Sequence, residues 1–180
     1  MRRNRISPLA ILLLAACART SEESAAGYDV SGTVIEEVPA LVREALENAD
    51  AVELLSLFPY PRGVDEELWT ERGYSDGELI DDYAVIGKTT LSPNDRRRIV
   101  QALYDGIDDS DGMVAACFNP RHGLTMTHQG KRVDVVICYQ CLSMQMHLDG
   151  EHAANVLTTE APKRVFNAVL RAAKVPLPDQ

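Results

Sequence analysis

Two tight-turn signals, Gln129-Gly130 and Asp149-Gly150, limit the fold of this chain more than any other feature of its sequence. Short apolar runs flank both turns, at 124–128, 133–139, 143–148 and 155–157. Strands connected by such short turns pair antiparallel, because a parallel connection needs a dozen residues or more. The C-terminal half therefore predicts an antiparallel sheet.

Helical and strand-like segments alternate through the rest of the chain. Apolar residues recur at helical spacing over 37–48, and apolar runs at 51–58, 83–91 and 113–118 indicate strands. Ser92-Pro93-Asn94-Asp95 resembles a helix start, and a last helix opens at Thr158 and Thr159. Residues 59–82 are rich in turn formers and acids. The order predicts an α+β fold, a small antiparallel sheet covered by two or three helices.

The first 17 residues have the three zones of an export signal. Arg2, Arg3 and Arg5 form a cationic start, Pro8 to Leu14 form an apolar run, and Ala15-Ala16 precede Cys17. The run is far shorter than the roughly 20 residues that span a bilayer. Leu14-Ala15-Ala16-Cys17 resembles the lipobox of bacterial lipoproteins.

That resemblance implies cleavage before Cys17 and lipidation of this cysteine. With two or three acyl chains Cys17 would hold the protein stably at a membrane of the cell envelope. Ala18, rather than Asp, favours the outer membrane in a Gram-negative host. We therefore expect a signal peptide over 1–16, a lipidated cysteine and flexible tether over 17–34, and a single α+β domain over 35–180.

The charge balance argues against nucleic-acid binding. The chain has 18 basic and 27 acidic residues, and loss of the three leader arginines leaves 15 basic residues and a net charge of −12. Such a chain repels phosphate backbones, and we find no clustered basic face that would offset this.

All four histidines and all three cysteines beyond Cys17 fall within residues 117–152. A disulfide is the first interpretation, because cysteines outside the cytoplasm tend to oxidise. Cys117 could pair with Cys138, or Cys138 could pair with Cys141 across a turn. Either pairing leaves one thiol over.

Two other chemistries are open to the same residues. Cys138 and Cys141 have the C-x2-C spacing of a zinc knuckle, and Cys117 with His122 could complete a Cys3His zinc site. Thiol exchange through Cys138 and Cys141 is the other alternative. Catalytic C-x-x-C motifs usually stand at a helix N-terminus, whereas this one follows a strand.

The histidines taken singly give weaker signals. His128 and His147 fall near turns and are expected to be solvated. Arg121 and His122, in Pro120-Arg121-His122-Gly123, form a loop of interest after a predicted strand. The simplest interpretation is that both side chains bond loop carbonyl groups and fix the turn.

Residues 83–148 resemble a group of uncharacterised exported bacterial proteins. The shared pattern is Cys-Phe-x-Pro-Arg-His-Gly before a hydrophobic strand that ends in Cys-aromatic-x-Cys, and it carries no known activity. The leading hypothesis is a non-catalytic, membrane-anchored binding or structural domain, stabilised by a disulfide and needing no cofactor. Its partner would be an envelope protein or a small ligand. A zinc-binding or thiol-redox protein is the alternative; no nucleophile with a matching base indicates a hydrolase.

Overall fold

The computed structural model describes residues 27–28 and 34–177, with the backbone alone described at 27, 28, 34 and 35. The predicted signal peptide (1–16), Cys17 and most of the predicted tether lie outside the described residues. Within the tether, Gly27–Tyr28 pairs antiparallel with Val34–Ile35.

The described residues form nine strands and four helices. The strands are β1 (Gly27–Tyr28), β2 (Val34–Ile35), β3 (Val52–Leu57), β4 (Leu79–Ile80), β5 (Tyr83–Thr90), β6 (His122–His128), β7 (Lys131–Cys138), β8 (Ser143–Leu148) and β9 (Glu151–Leu157). The helices are α1 (Ala40–Asn48), α2 (Glu66–Glu71), α3 (Pro93–Asp108) and α4 (Lys163–Ala172). Of these four helices, none is long and apolar enough to cross a membrane.

Seven strands form one curled antiparallel sheet in the order β4-β5-β3-β6-β7-β8-β9. The predicted α+β class and antiparallel pairing are confirmed. The sheet has seven strands and is larger than the small one expected. Residues 59–82, expected to form turns, also contain the short strand β4 and helix α2.

The two turn signals close the hairpins that they predict. Gln129 and Gly130 have φ of 51° and 75°, and Asp149 and Gly150 have φ of 52° and 84°. Two successive positive φ values match the right-handed twist of the flanking strands, and glycine adopts the second at little cost. These turns set the register of β6 on β7 and of β8 on β9.

Local capping fixes where the long helix α3 begins and how α1 ends. The Ser92 hydroxyl accepts from the Asp95 N–H at 3.1 Å, with Pro93 in the first turn, as the sequence predicts. From α3, the Arg96 guanidinium donates to the carbonyl groups of Ala45 and Leu46 at 2.9 and 2.8 Å. Arg96 thereby satisfies carbonyls at the end of α1 and ties the two helices together.

The main core lies between one face of the sheet and helices α1, α3 and α4. Alternate residues of the central strands point into it, since successive side chains of a strand face opposite sides. Its fully buried members include Leu46, Leu54, Ile99, Leu103, Leu124, Ile137, Met144 and Phe166. Helix α4 therefore lies over the sheet near β3, which positions the site described below.

A smaller apolar layer covers part of the opposite face. Leu55, Leu57 and Val136 pack there with Ile80 and Tyr83. Beside them, Trp69 of α2 is buried against Phe58 with ring centroids 6.0 Å apart. Residues 58–82 thus shield this face.

Residues 113–118, predicted as a strand, form no regular structure. Sheet geometry gives the reason: β6 is bonded to β3 on one side and β7 on the other, so no free edge remains beside it. The segment instead crosses the end of the sheet as part of an irregular loop over 109–121. The last predicted strand, 155–157, is longer than expected and begins at Glu151.

Candidate functional site

One end of the sheet carries a polar cleft of about 390 Å³. Here β6 begins, β7 ends, and the segment leading into α4 passes over them. We call this the cleft; its lining residues are Asn119, Arg121, His122, Tyr139, Gln140, Leu142, Glu160 and Lys163.

His122 lies in the wall of the cleft and is almost fully buried, with 1% of its surface exposed. Its Nε2 lies 2.8 Å from Oδ1 of Asn167 on α4. The ring also packs against Tyr139 and Phe166, with centroid distances of 5.4 and 5.9 Å. A histidine placed by a strand, a helix and two aromatic rings is held in one orientation.

The pKa of His122 is lowered from 6.5 to about 4. Burial is the largest cause, and the positive charges of Lys163 and Arg121 lower it further, whereas the bond to Asn167 opposes the shift. His122 is therefore neutral near pH 7. Because an amide oxygen only accepts, Nε2 carries the hydrogen and Nδ1 carries a lone pair. Among the described residues, Nδ1 has no hydrogen-bond partner.

Unpartnered polar atoms are concentrated at this end of the molecule. Five buried side-chain polar atoms lack a partner within the described part of the chain, and four lie here: Ser56 Oγ, His122 Nδ1, Tyr139 OH and Thr159 Oγ1. Ser56 is the register partner of His122 across β3 and β6. Burial raises the pKa of Tyr139 well above 10, so its hydroxyl stays protonated. Each such atom costs about 1–3 kcal/mol of stability if left unpaired.

Cationic side chains outnumber acidic ones around the cleft although the chain as a whole is acidic, and one of them, Lys163, donates to Glu160 at 3.1 Å. A second cavity of about 530 Å³ adjoins it and shares Glu160 and Lys163 with it. The charged lining residues of the two cavities are Arg121, Lys163, Arg164, Arg171 and Glu160. Helix α4 also begins here without a side-chain cap, which adds partial positive charge. The region favours an anionic group.

The three cysteines meet on the other side of the same turn. Cys138 and Cys141 lie at disulfide-bonding distance, with Cα atoms 5.2 Å apart. This is the second of the two predicted pairings, and it leaves Cys117 as the extra thiol. Cys117 is exposed, and its Sγ lies 3.7 Å from Cys141 Sγ. The alternative pairing, Cys117 with Cys138, is not the one formed, and Cys117 lies in the loop over 109–121 and not on a strand.

The residues of the predicted zinc site divide into separate environments. Cys138 and Cys141 are bonded to each other, and His122 Nε2 is engaged by Asn167. Within residues 27–28 and 34–177, no three His, Cys, Asp or Glu side chains are grouped so as to hold a metal ion.

The remaining site predictions have mixed outcomes. Arg121 Nη1 donates to the Asn119 carbonyl at 3.4 Å and to Gln140 at 3.2 Å, as expected of a loop-fixing residue. His122 does not bond a loop carbonyl; it belongs to β6 and reaches α4. His147 is expected from the sequence to be solvated, but only 6% of its surface is exposed. Asp81 packs on it, and His147 Nε2 lies 3.2 Å from Asp81 Oδ2 without forming a hydrogen bond.

Sequence reasoning missed Ser56, Asn167 and Lys163. A signal existed for the first two, since each is a polar residue inside an apolar pattern: Ser56 within a strand run and Asn167 beside Phe166 on α4. No local signal identified Lys163, which joins the cleft only because α4 folds back over the sheet.

Comparison of the chain with protein-family models, with curated proteins and with solved structures found no match. The function of the protein has therefore to be inferred from the geometry of the cleft.

Proposed function

We propose that this protein is an exported, lipid-anchored binding domain that holds a small anionic ligand in the cleft. Cys17 would anchor it to a membrane of the cell envelope. The observation that carries the proposal is the combination of buried, unpartnered polar atoms with a cationic rim.

The polar atoms indicate what the ligand must offer. His122 Nδ1 can accept a hydrogen bond and the Tyr139 hydroxyl can donate or accept one, provided that the wall of the cleft shifts to expose these buried atoms. Arg121 and Lys163 attract a carboxylate or phosphate. A small hydroxycarboxylate supplies both an anion and a hydroxyl donor. The cleft volume of about 390 Å³ lies within the range typical of small-molecule sites.

A calorimetric titration with malate and succinate tests this directly. The two dicarboxylates differ by one hydroxyl, so we expect malate to bind more tightly, by about 1 kcal/mol for the added hydrogen bond. Lys163→Gln should weaken malate binding about tenfold, equivalent to about 1.4 kcal/mol.

Lys131→Gln is the matched control, because Lys131 pairs with Asp149 at the opposite end of the sheet. It should leave binding unchanged. If neither dicarboxylate binds at millimolar concentration, or if both lysine variants weaken binding equally, binding of a small dicarboxylate in the cleft is ruled out.

The membrane anchor needs a separate test. Full-length protein and a Cys17→Ser variant would be produced in a Gram-negative host, and their membrane and soluble fractions compared. We expect wild type in the membrane fraction and the variant to lose that association, because lipidation needs the cysteine sulfur. A processed variant that remains in the membrane fraction would contradict lipidation at Cys17.

A further inference from the structure

A free thiol lies beside the disulfide of the turn between β7 and β8. Cys117 Sγ is 3.7 Å from Cys141 Sγ, and Cys141 is bonded to Cys138. We propose that Cys117 is the entry point through which the buried Cys138–Cys141 disulfide exchanges with thiols outside the fold. This activity is independent of ligand binding in the cleft.

Accessibility separates the roles of the three sulfur atoms. Cys138 and Cys141 have 1% and 0% of their surface exposed, whereas Cys117 is exposed. Exchange requires a thiolate to reach a disulfide sulfur directly. A thiol in solution therefore meets Cys117 and is shielded from the other two.

The first step is an internal exchange. The Cys117 thiolate attacks Cys141 Sγ, so the Cys117–Cys141 bond forms while the Cys138–Cys141 bond breaks. Cys138 leaves as a thiolate and takes up one proton, equivalent to the proton that Cys117 lost. One disulfide is exchanged for another, and the protein is neither oxidised nor reduced.

Two backbone contacts favour this step. The Cys141 N–H donates to Cys138 Sγ at 3.1 Å, which stabilises negative charge on the leaving sulfur. The Ala115 N–H donates to the Cys141 carbonyl at 3.1 Å and holds the loop against the turn. Bond formation requires the Cys117 sulfur to close from 3.7 Å to about 2.05 Å. The irregular backbone of residues 109–121 can accommodate that movement.

The second step connects the protein to its surroundings. A thiolate outside the fold attacks Cys117 Sγ in the new bridge, and Cys141 leaves as a thiolate. A second thiol then displaces Cys117 from the mixed disulfide. In total, two external thiols become one disulfide, and the protein disulfide is reduced to the Cys138 and Cys141 thiols. The substrate class is a small thiol or, in reverse, its disulfide.

The rate of reduction by glutathione tests the proposal. Wild type and Cys117→Ser would be exposed to glutathione, quenched with acid, alkylated and analysed by intact mass. We expect reduction of the Cys138–Cys141 bridge to slow about tenfold in Cys117→Ser, because its only exposed attack path is lost. Ala116→Ser changes a neighbouring exposed residue of the same loop and should stay within about twofold of wild type. Equal rates in all three proteins would overturn the proposal.

Two further variants test whether the new bridge can form. Cys138→Ser leaves Cys117 and Cys141, which should join and leave no free thiol on denaturation. Cys141→Ser leaves Cys117 and Cys138, which should both stay reduced, because Cys141 is the sulfur beside Cys117. Two free thiols in a folded Cys138→Ser protein, or a bridge in Cys141→Ser, would contradict the proposed path.

Discussion

At the end of the sheet where β6 turns into β7 and β8 into β9, polar groups are paired at the surface. Lys131 Nζ and the Arg132 N–H both donate to the Asp149 carboxylate, at 3.0 and 2.9 Å. At the opposite end, His122 and Tyr139 bury polar atoms that have no partner among the described residues.

The two ends of the sheet therefore differ in whether their polar groups have partners. The hairpin end joins strands with the residues that a tight turn requires, and most of its polar groups reach solvent or one another. Of the five unpartnered atoms among the described residues, one, His147 Nε2, lies near this end. The cleft end retains buried polar atoms that destabilise the folded protein by themselves. Such atoms are expected where a ligand supplies the missing partners, since function is often retained at a cost in stability.

Truncating Phe166 should disrupt the cleft end most strongly. Phe166 is fully buried, and its ring lies 5.6 Å from that of Tyr139. Phe166→Ala should lower the free energy of unfolding by about 3–5 kcal/mol through lost packing and a residual cavity. Urea unfolding would measure this, with Phe166→Leu as the milder control. NMR shift changes should centre on the cleft, and equal changes at Gly130 and Gly150 would contradict a local effect.

Acid should destabilise the protein through His122. Its folded pKa of about 4 lies below the unfolded value of 6.5, so the unfolded state takes up a proton first as the pH falls. Above pH 6.5 His122 adds no pH dependence. Between 6.5 and about 4, stability should fall by up to about 3 kcal/mol.

Urea unfolding at several pH values would measure that dependence. His122→Gln cannot titrate and should show a correspondingly flatter profile. A His122→Gln protein with an unchanged pH dependence would show that His122 titrates normally.

Replacing a glycine should destabilise the protein at both ends, but for different physical reasons. A Cβ on Gly106 of α3 would lie 2.5 Å from Pro162 Cγ and 2.7 Å from Thr158 Oγ1. Gly106→Ala should therefore cost about 1–3 kcal/mol, although alanine normally favours a helix. A Cβ on Gly150 would meet nothing within 4 Å in the described structure, but φ there is +84°. Gly150→Ala should cost about 1–2 kcal/mol.

Asparagine distinguishes the two mechanisms, because it tolerates a positive φ better than alanine. Gly150→Asn should recover part of the stability lost in Gly150→Ala. At Gly106 asparagine should be at least as damaging as alanine, since it is larger. Recovery by asparagine at Gly106 would refute the steric account.

Removing charge at the hairpin end should have the smallest effect. Asp149→Asn keeps an oxygen for the Arg132 N–H but loses the charge that pairs with Lys131. The pair is exposed, so the loss of stability should be slight. It should shrink further in about 0.5 M salt, because salt screens the attraction between exposed charges. A loss larger than that of Gly150→Ala would contradict this reading of the hairpin end.

The hairpin end can be predicted well from the sequence because the residues that determine it are close together in the chain. Gln129-Gly130 and Asp149-Gly150 specify turns through residues that are adjacent in the chain, and Ser92 specifies a helix start three residues away. Contacts that close a turn or cap a helix can be predicted without knowing the tertiary fold.

The cleft end could be predicted only in part. Cys117, Arg121 and His122 were identified by residue type and spacing, but the partner of His122 is Asn167, 45 residues further along the chain. Likewise the apolar run at 113–118 has the composition of a strand, but both sides of the following strand β6 are already paired, with β3 and β7. Both outcomes depend on which elements become neighbours, and strand order was not derivable from the sequence.

The cleft end buries polar groups that have no partners in the described part of the chain. The free energy of unfolding of Tyr139→Phe, measured in urea without ligand, tests it most directly, because the substitution removes one hydroxyl and little else. We expect the free energy of unfolding of Tyr139→Phe to exceed that of wild type by about 1 kcal/mol. A loss of similar size would show that the Tyr139 hydroxyl is already bonded in the folded protein, and would contradict the claim.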